Sequence, residues 1–290
     1  GGGGGAGGGG GARGAGGAPA APAGEPDDEV GRGGRVPVHL KVDTGMHRVG
    51  ADPWDVAAIG RSVAAEPALL LEGLWSHLAA ADEGPGELTA LQLGRLEQAR
   101  RDLAGVGVVP ELVHLANSAG AIAHPATRLD LVRCGIALYG YPPVPAPSLG
   151  LRPALSWKAQ VHLVRRLEAG EAVSYGLEQP LERSSHVAVV PAGYHDGIDR
   201  RFFEGGGEVL IRGRRRRVAG RVTMDQLVVD CGPEGDVASG DEVVLIGRQG
   251  DEEVSAEEWA RRIGSISWEV LSRIGCRVPR DVVSDARGEQ

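Results

Sequence analysis

Lysine is almost missing from this sequence of 290 residues: of 31 basic residues, only Lys41 and Lys158 are lysines, and the rest are arginines. Acidic residues outnumber basic ones, and the formal net charge of −8 argues against nucleic acid as the main partner. The arginines at 212 and 214–217 do not change this conclusion. They directly follow the mostly apolar segment 208–211, so we interpret them as part of a solvated hairpin.

Cysteine is also scarce, and no long apolar run is present. The three cysteines, at positions 134, 231 and 276, are odd in number and form no Cys-x-x-Cys pair, so the sequence predicts neither a disulfide framework nor a zinc site. No apolar run approaches the roughly 18 residues that a membrane span needs, and the N-terminus lacks the pattern of a secretory signal. We therefore expect a cytoplasmic protein without a membrane partner or a metal.

Residues 1–34 contain 17 glycines and no aromatic residue. Such a segment buries too little apolar surface to offset its conformational entropy. A phosphate-binding glycine loop would need a preceding strand and a following helix, and neither pattern is present. We therefore expect residues 1–35 to form a disordered tail.

From Val36 onward the sequence alternates between short apolar runs and helical patterns. The helical patterns cover residues 53–66 and 87–104, and strands that are apolar on both faces are typical of a parallel sheet covered by helices. The four apolar runs are residues 36–42, 68–75, 111–116 and 129–138.

Polar groups follow these runs or lie within the last one: Asp43-Thr44-Gly45, Ser76-His77, Asn117-Ser118 and Arg133. In a (β/α)8 barrel the active-site groups lie at the C-terminal ends of the strands. The pattern therefore predicts that residues 36–145 form the last four strands of a partial (β/α)8 barrel of the TIM type.

After Pro142 the pattern changes to short alternating segments separated by Gly and Asp. Many strands at close spacing indicate a second, mostly antiparallel β domain, for which we predict the bounds 146–290. Ser255 is the predicted N-cap of a helix that follows the strands. The predicted strand segments are residues 157–164, 172–176, 186–194, 208–213, 221–230 and 241–247.

Eight motifs between residues 36 and 285 resemble, in the same order, those of alanine racemases. They are HLKVDTGMHRVG (39–50), EGLWSHLAAAD (72–82), HLANSAG (114–120), LVRCGIALYG (131–140), VSYG (173–176), PAGYHDGIDR (191–200), GRVTMDQ (220–226) and SISWEVLSRIGCRVPR (265–280). The resemblance implies an α/β barrel plus a C-terminal β domain, with pyridoxal 5′-phosphate (PLP) as cofactor. It also implies a head-to-tail homodimer in which each active site borrows residues from its partner, and interconversion of L- and D-alanine for peptidoglycan synthesis.

The chemistry explains the residue types. The Cα proton of alanine is too weakly acidic to be removed unless PLP delocalises the resulting charge, and racemisation needs a base on each face. The resemblance assigns one base to Tyr175. A phenol has a reference pKa near 10 and needs a partner at neutral pH, which the resemblance assigns to His77.

The resemblance also implies the cofactor contacts. Arg133 matches the arginine that meets the pyridine nitrogen, and because a guanidinium does not give up its proton, the ring nitrogen stays unprotonated. Ser118, Gly135 and Ile136 match positions that hold the phosphate, the last two through backbone amides. Trp268 stands where the family commonly has a phosphate-binding tyrosine.

The implied substrate contacts lie in both halves of the chain. Arg48 matches the arginine that binds the substrate carboxylate, for which a bidentate guanidinium is well shaped. Met224 and Asp225 match residues supplied by the partner subunit, and Tyr194 matches a residue at the site entrance. Lys41 matches a lysine that is carbamylated in some members and orients the arginine.

Each of these residues also has an ordinary structural explanation when it is taken alone. His77 fits a core histidine, Arg133 a buried ion pair, Tyr175 a strand aromatic and Met224 a core filler, and Asp43-Thr44-Gly45 fits a turn. Only their joint placement in the eight motifs favours a catalytic site.

In the family the lysine that binds PLP covalently lies in a Lys-x-x-x-Tyr-Gly-His-Gly block at the first barrel strand, and the sequence contains no such block. We therefore expect a racemase sequence that is truncated at its N-terminus and inactive alone. Two alternatives remain open. One is a non-catalytic, racemase-like protein that binds or dimerises, and the other is a racemase for another small amino acid such as serine.

Overall fold

The computed structural model describes residues 34–83, 86–145 and 149–283, so nearly all of the expected tail at 1–35 lies outside the described residues. The first sheet has the strand order β1-β2-β3-β4, and all its neighbouring strands are parallel. This confirms the predicted parallel sheet, although the fourth strand ends at Arg133, earlier than expected. The strands are β1 (Val36–Lys41), β2 (Leu69–Trp75), β3 (Leu112–Asn117) and β4 (Leu131–Arg133).

Helices follow the first three strands, and their apolar faces join the strands in one core. Leu74, Leu96, Leu103 and Leu115 are fully buried in it. The helix predicted from Pro53 is in part wrong, because residues Pro53–Asp55 form a 3-10 turn before the α-helix begins at Val56. The elements are α1 (Val56–Ala65), α2 (Glu87–Gly105), α3 (Ser118–Ala123) and a second 3-10 turn (Pro125–Thr127).

The second sheet is antiparallel, as predicted, with the order β12-β11-β8-β9-β10-β7-β6 and with β5 paired to β11. Its strands are β5 (Trp157–Gln160), β6 (Leu163–Leu167), β7 (Ser185–Val190), β8 (Glu208–Ile211), β9 (Arg214–Ala219), β10 (Leu227–Gly232), β11 (Glu242–Gln249) and β12 (Glu252–Val254).

The strand predicted at 172–176 is wrong, since this segment is irregular. Ser174 and Gly176 have φ angles of 65° and 84°, which lie in the left-handed region and are incompatible with extended backbone. The alternating pattern of this segment therefore does not come from a strand, and Tyr175 is not a strand aromatic.

The arginine-rich segment forms the predicted hairpin of β8 and β9, with Arg212 and Gly213 at positive φ in the turn. The expectation that the whole run is solvated is wrong for Arg216, which is 8% exposed. Its guanidinium donates to the carbonyl of Cys231 and, at 2.6 Å, to Asp236. A buried guanidinium is tolerated because it is paired.

Three helices complete this part: α4 (Arg201–Glu204), α5 (Ala256–Ile263) and α6 (Ser267–Arg273). The predicted N-cap is confirmed, because the Ser255 hydroxyl accepts from the amide of Glu258 at 3.1 Å. Ile136 and Tyr141 pack in the core of the second sheet. Across the described ranges, no helix is long and apolar enough to cross a membrane.

Candidate active site

The polar groups that follow the parallel strands lie together at the C-terminal edge of the first sheet, as predicted. Arg133, at the end of β4, is the centre of this group. Its Nη2 donates to the carbonyls of Ser76 at 2.8 Å and Leu115 at 3.1 Å. Its Nη1 donates to Nδ1 of His114 at 2.6 Å, and the guanidinium carbon lies 4.8 Å from the centroid of the Trp75 ring.

All of these protein partners of Arg133 are neutral. Burial lowers the pKa of Arg133, but a guanidinium remains charged at any ordinary pH. Two backbone carbonyls and the indole face fix its plane without neutralising it. Arg133 therefore presents an oriented positive charge at the sheet edge, and it is not the buried ion pair that it could have been.

His77 lies beside this guanidinium, with its Nδ1 3.3 Å from Nη2 of Arg133. Burial lowers the pKa of His77, and the charges of Arg133, Arg48 and Lys41 lower it further. The imidazole is therefore neutral at neutral pH. Because Nδ1 faces a donor, the ring proton is on Nε2.

A buried glutamine that the sequence analysis missed holds the loop around His77. Gln92 of α2 is fully buried. Its amide nitrogen donates to the carbonyl of His77 at 2.8 Å and to the Thr44 hydroxyl at 3.2 Å, and its oxygen accepts from the amide of Ala79 at 2.9 Å. The signal in the sequence was a polar residue on the buried face of an otherwise amphipathic helix.

Ser118 is buried at the start of α3 and faces the turn after β4. Its hydroxyl oxygen accepts from the amides of Gly135 at 3.0 Å and Ala137 at 3.4 Å. With its oxygen occupied as an acceptor, the hydroxyl proton is available for another group. In the described part of the chain, the amide of Ile136, between those two, has no protein acceptor. A hydroxyl and a backbone amide thus offer donors at one place.

Lys41 ends β1, and its Nζ lies 4.8 Å from the centroid of the Trp75 ring. Burial lowers the pKa of Lys41, and the charge of Arg48 lowers it further. Arg48 itself is exposed in the loop after β1. The second lysine, Lys158, is not part of this group. It lies in the second sheet, where it forms an exposed ion pair with Glu242 at 2.9 Å.

The remaining predicted residues lie in the second part of the chain and are exposed. The structure records no contact between them and His77 or Arg133 in the described residues. Their exposed fractions are 70% for Tyr175, 42% for Tyr194, 51% for Met224 and 40% for Trp268, and Asp225 forms an exposed ion pair with Arg277. The site predicted from the sequence is therefore divided into two parts. The polar cluster, at the edge of the first sheet, consists of Lys41, His77, Ser118, Arg133 and the turn 135–137. The exposed group consists of Tyr175, Tyr194, Met224, Asp225 and Trp268.

Two members of the exposed group are joined through their backbones. The amide of Tyr194 donates to the carbonyl of Thr223 at 2.9 Å, next to Met224. A Cβ atom on Gly193 would lie 2.3 Å from the Met224 carbonyl oxygen, so only glycine permits this approach. The motifs PAGYHDGIDR and GRVTMDQ thus form one surface.

Comparisons with known proteins agree on one family. Residues 26–143 match the model of the alanine racemase N-terminal domain, and residues 154–282 match that of the C-terminal domain. The chain is 49% identical over 245 residues to the alanine racemase of Symbiobacterium thermophilum, which covers 84% of this chain and 65% of that protein. It is 40% identical to the alanine racemase of Salinispora arenicola, covering 87% of this chain and 70% of that protein.

Solved structures give the same result. Alanine racemase from D-cycloserine producing Streptomyces lavendulae superposes with a TM-score of 0.79 at 43% identity, covering 86% of this chain and 67% of the other. That from Streptomyces coelicolor A3(2) gives 0.80 at 39%, with coverages of 85% and 66%. The chain spans about 65% of the length of the first curated relatives. At these identities and lengths, the chain belongs to the alanine racemase family.

Proposed function

We propose that this chain contributes to a PLP-dependent alanine racemase, which interconverts L- and D-alanine by a two-base mechanism. The observation that carries the proposal is the set of donors at the C-terminal edge of the parallel sheet. It consists of an uncompensated, oriented guanidinium next to a hydroxyl and a free amide. Alanine racemases depend on PLP, and PLP presents a ring nitrogen and a phosphate, which are acceptors for these two kinds of donor.

The residues of the polar cluster fit this cofactor. Arg133 would donate to the pyridine nitrogen, and the Ser118 hydroxyl with the amide of Ile136 would hold the phosphate. The amide of Gly135, which donates to Ser118, would join them by exchanging that bond for one to the phosphate. A Cβ atom on Gly135 would meet nothing within 4 Å, so this side of the cluster is open to a ligand. When bound, PLP supplies an electron sink that acidifies the Cα proton of the amino acid.

Arg133 sets the strength of that sink. A carboxylate at this position would favour a protonated ring nitrogen, whereas a guanidinium only donates a hydrogen bond and leaves the nitrogen neutral. Its protein partners are two carbonyls and neutral imidazoles, so its charge remains directed at the ligand.

His77 and Tyr175 would act together on one face of the substrate. The lowered pKa of His77 keeps it neutral, and its Nε2 proton would donate a hydrogen bond to the oxygen of Tyr175, which favours the basic phenolate form. Tyr175 is 70% exposed, which supports its delivery to the His77 of a second copy in a homodimer. Met224, Asp225 and Tyr194 would reach the partner's site by the same association, and Arg48 would bind the substrate carboxylate.

The test is exchange of the alanine α-proton in D2O, followed by NMR, with PLP added. We expect no exchange from this chain alone, because its lysines are an ion-paired Lys158 and the Lys41 that faces Trp75. Co-expression with the part of the Symbiobacterium thermophilum racemase outside the matched 65% is expected to give exchange.

Tyr175→Phe in the same co-expressed complex is the control. It should abolish exchange of the α-proton of one enantiomer of alanine, because the base on that face is missing. A complex that forms and binds PLP but gives no exchange would refute the proposal. Exchange with serine at a higher kcat/KM than with alanine would instead assign the racemase to another small amino acid.

A further inference from the structure

A row of three side chains that the proposed mechanism does not use runs across the parallel sheet behind Arg133. His114 of β3 is 5% exposed, and its Nε2 lies 2.8 Å from Nδ1 of His39 in β1. Nε2 of His39 lies 2.9 Å from a carboxylate oxygen of Glu72 in β2. With the 2.6 Å bond from Arg133 to His114, these groups form a continuous hydrogen-bonded chain.

Only one arrangement of protons satisfies this chain. Arg133 always donates, so Nδ1 of His114 must accept and carries no proton. A neutral His114 then has its proton on Nε2 and donates it to Nδ1 of His39. His39 in turn has its proton on Nε2 and donates it to Glu72. A second proton on either imidazole would place two donors face to face.

The position of Gly73 makes the chain possible. His39 pairs with Gly73 in the sheet register, just after an irregularity between Val38 and His39. A Cβ atom on Gly73 would lie 2.2 Å from Nδ1 of the His39 ring. The imidazole therefore lies over the bare backbone of β2, and this placement lets it reach from β1 to β3.

The surroundings keep His114 neutral. It stacks on Trp75 with ring centroids 5.5 Å apart and 12° between the planes. Burial lowers the pKa of His114 to about 4, with further contributions from Arg133 and His39. The ring is thus an acceptor for Arg133 at neutral pH.

We propose that His39 and Glu72 are positioning residues: by accepting the Nε2 proton of His114, they hold its ring in the place where Nδ1 binds Arg133. Within this hydrogen-bonded row, the negative charge is that of Glu72, which is separated from the guanidinium of Arg133 by two imidazole rings. Arg133 is therefore held by a hydrogen bond to a neutral group, and no carboxylate among its partners neutralises its positive charge. That Arg133 directs its charge at a bound cofactor rests on the proposed function, whereas the arrangement of protons in this row does not.

The test is 15N NMR of the chain labelled with [15N]histidine, without PLP, so that it is independent of racemase activity. Resonances are assigned with His39→Gln and His114→Gln. We expect a pyridine-type Nδ1 and a pyrrole-type Nε2 for both His39 and His114. A pyrrole-type Nδ1 on His114 in the unsubstituted chain would overturn the proposal.

Three substitutions separate positioning from general folding. Glu72→Gln keeps an acceptor for His39 and should leave the resonances of both histidines unchanged. Glu72→Leu removes it and should give a mixture of tautomers at His39, with a shift of the His114 Nε2 resonance because its acceptor changes. Gly73→Ala should shift the His114 Nε2 resonance in the same way by displacing the His39 ring. If Glu72→Leu and Gly73→Ala both leave the His114 resonances unchanged while far-UV circular dichroism shows a folded chain, the positioning role is refuted. If Glu72→Leu does not fold, the result with Gly73→Ala decides.

Discussion

Replacement of Gln92 by methionine should destabilise the chain and release the loop that carries His77. Gln92 is fully buried, and its side-chain amide makes three hydrogen bonds: to the carbonyl of His77, from the amide of Ala79 and to the Thr44 hydroxyl. Methionine has a similar length and is apolar, so the site stays filled while both backbone groups lose this partner. Thr44 keeps its bond to Ser76 at 2.7 Å.

The expected cost follows from these contacts. A buried backbone group left without a partner costs about 1–3 kcal/mol, and the two left here, at His77 and Ala79, are partly buried, so the lower part of that range applies to each. Packing of the apolar side chain recovers part of this cost. The net loss in free energy of unfolding should be about 1–3 kcal/mol, a large share of the roughly 5–15 kcal/mol typical of a folded domain.

Urea denaturation followed by far-UV circular dichroism measures the loss, and hydrogen exchange of the Ala79 amide reports the loop directly. Gln98 on the same helix is the matched control. It is exposed and bonds to Asp102 at 2.8 Å, so Gln98→Met should change the stability by less than about 0.5 kcal/mol. If Gln92→Met is as stable as Gln98→Met, and the Ala79 amide remains protected, the reasoning fails.

Three further outcomes are expected. Because burial lowers the pKa of Lys41, its free amine should add carbon dioxide and release a proton, giving a carbamate 13C resonance with labelled bicarbonate. That resonance should disappear in Lys41→Gln and persist in Lys158→Gln, and the reverse pattern would be evidence against carbamylation of Lys41. The hydrogen bond from Arg201 holds the pKa of Asp199 below its ordinary value, so the stability it contributes is complete above a pH of about 3.9 and is lost as the pH falls. Asp199→Asn should therefore flatten the acid limb of the stability curve, and an unchanged limb would show that Asp199 contributes nothing. Leu74→Ala, at a fully buried position, should cost about 2–5 kcal/mol in urea denaturation, and a loss below about 1 kcal/mol would mean that the core there can collapse.

The sequence predicted the parts of the fold that depend on local pattern. Apolar runs with no polar face correctly indicated a parallel sheet, because only buried strands can be apolar on both sides. The polar residues after those runs correctly predicted a cluster that includes His77, Ser118 and Arg133, because parallel strands end at the same edge. Ser255 was predictable as an N-cap, since its hydroxyl needs only the amide three residues later.

Other features of the sequence misled the prediction. The alternating pattern at 172–176 is typical of a strand, yet positive φ angles at Ser174 and Gly176 prevent one. The arginine run predicts a solvated hairpin, yet Arg216 lies on its inward face beside Asp236. In both cases the local pattern is typical of the expected structure. Tertiary contacts, which the pattern does not contain, determine the structure that forms instead.

By itself, then, the sequence determined the family, through eight motifs whose order is set along the chain, and the sheet edge at which the site residues gather. It could not determine which remote side chains form hydrogen bonds with each other. His39 and His114 are 75 positions apart, and they meet because of the register between neighbouring strands, the irregularity before His39 and the bare backbone of Gly73. Gln92 reaches His77 only through the packing of α2 on the sheet. These contacts depend on distances of a few ångströms between remote segments, and only the tertiary structure fixes such distances.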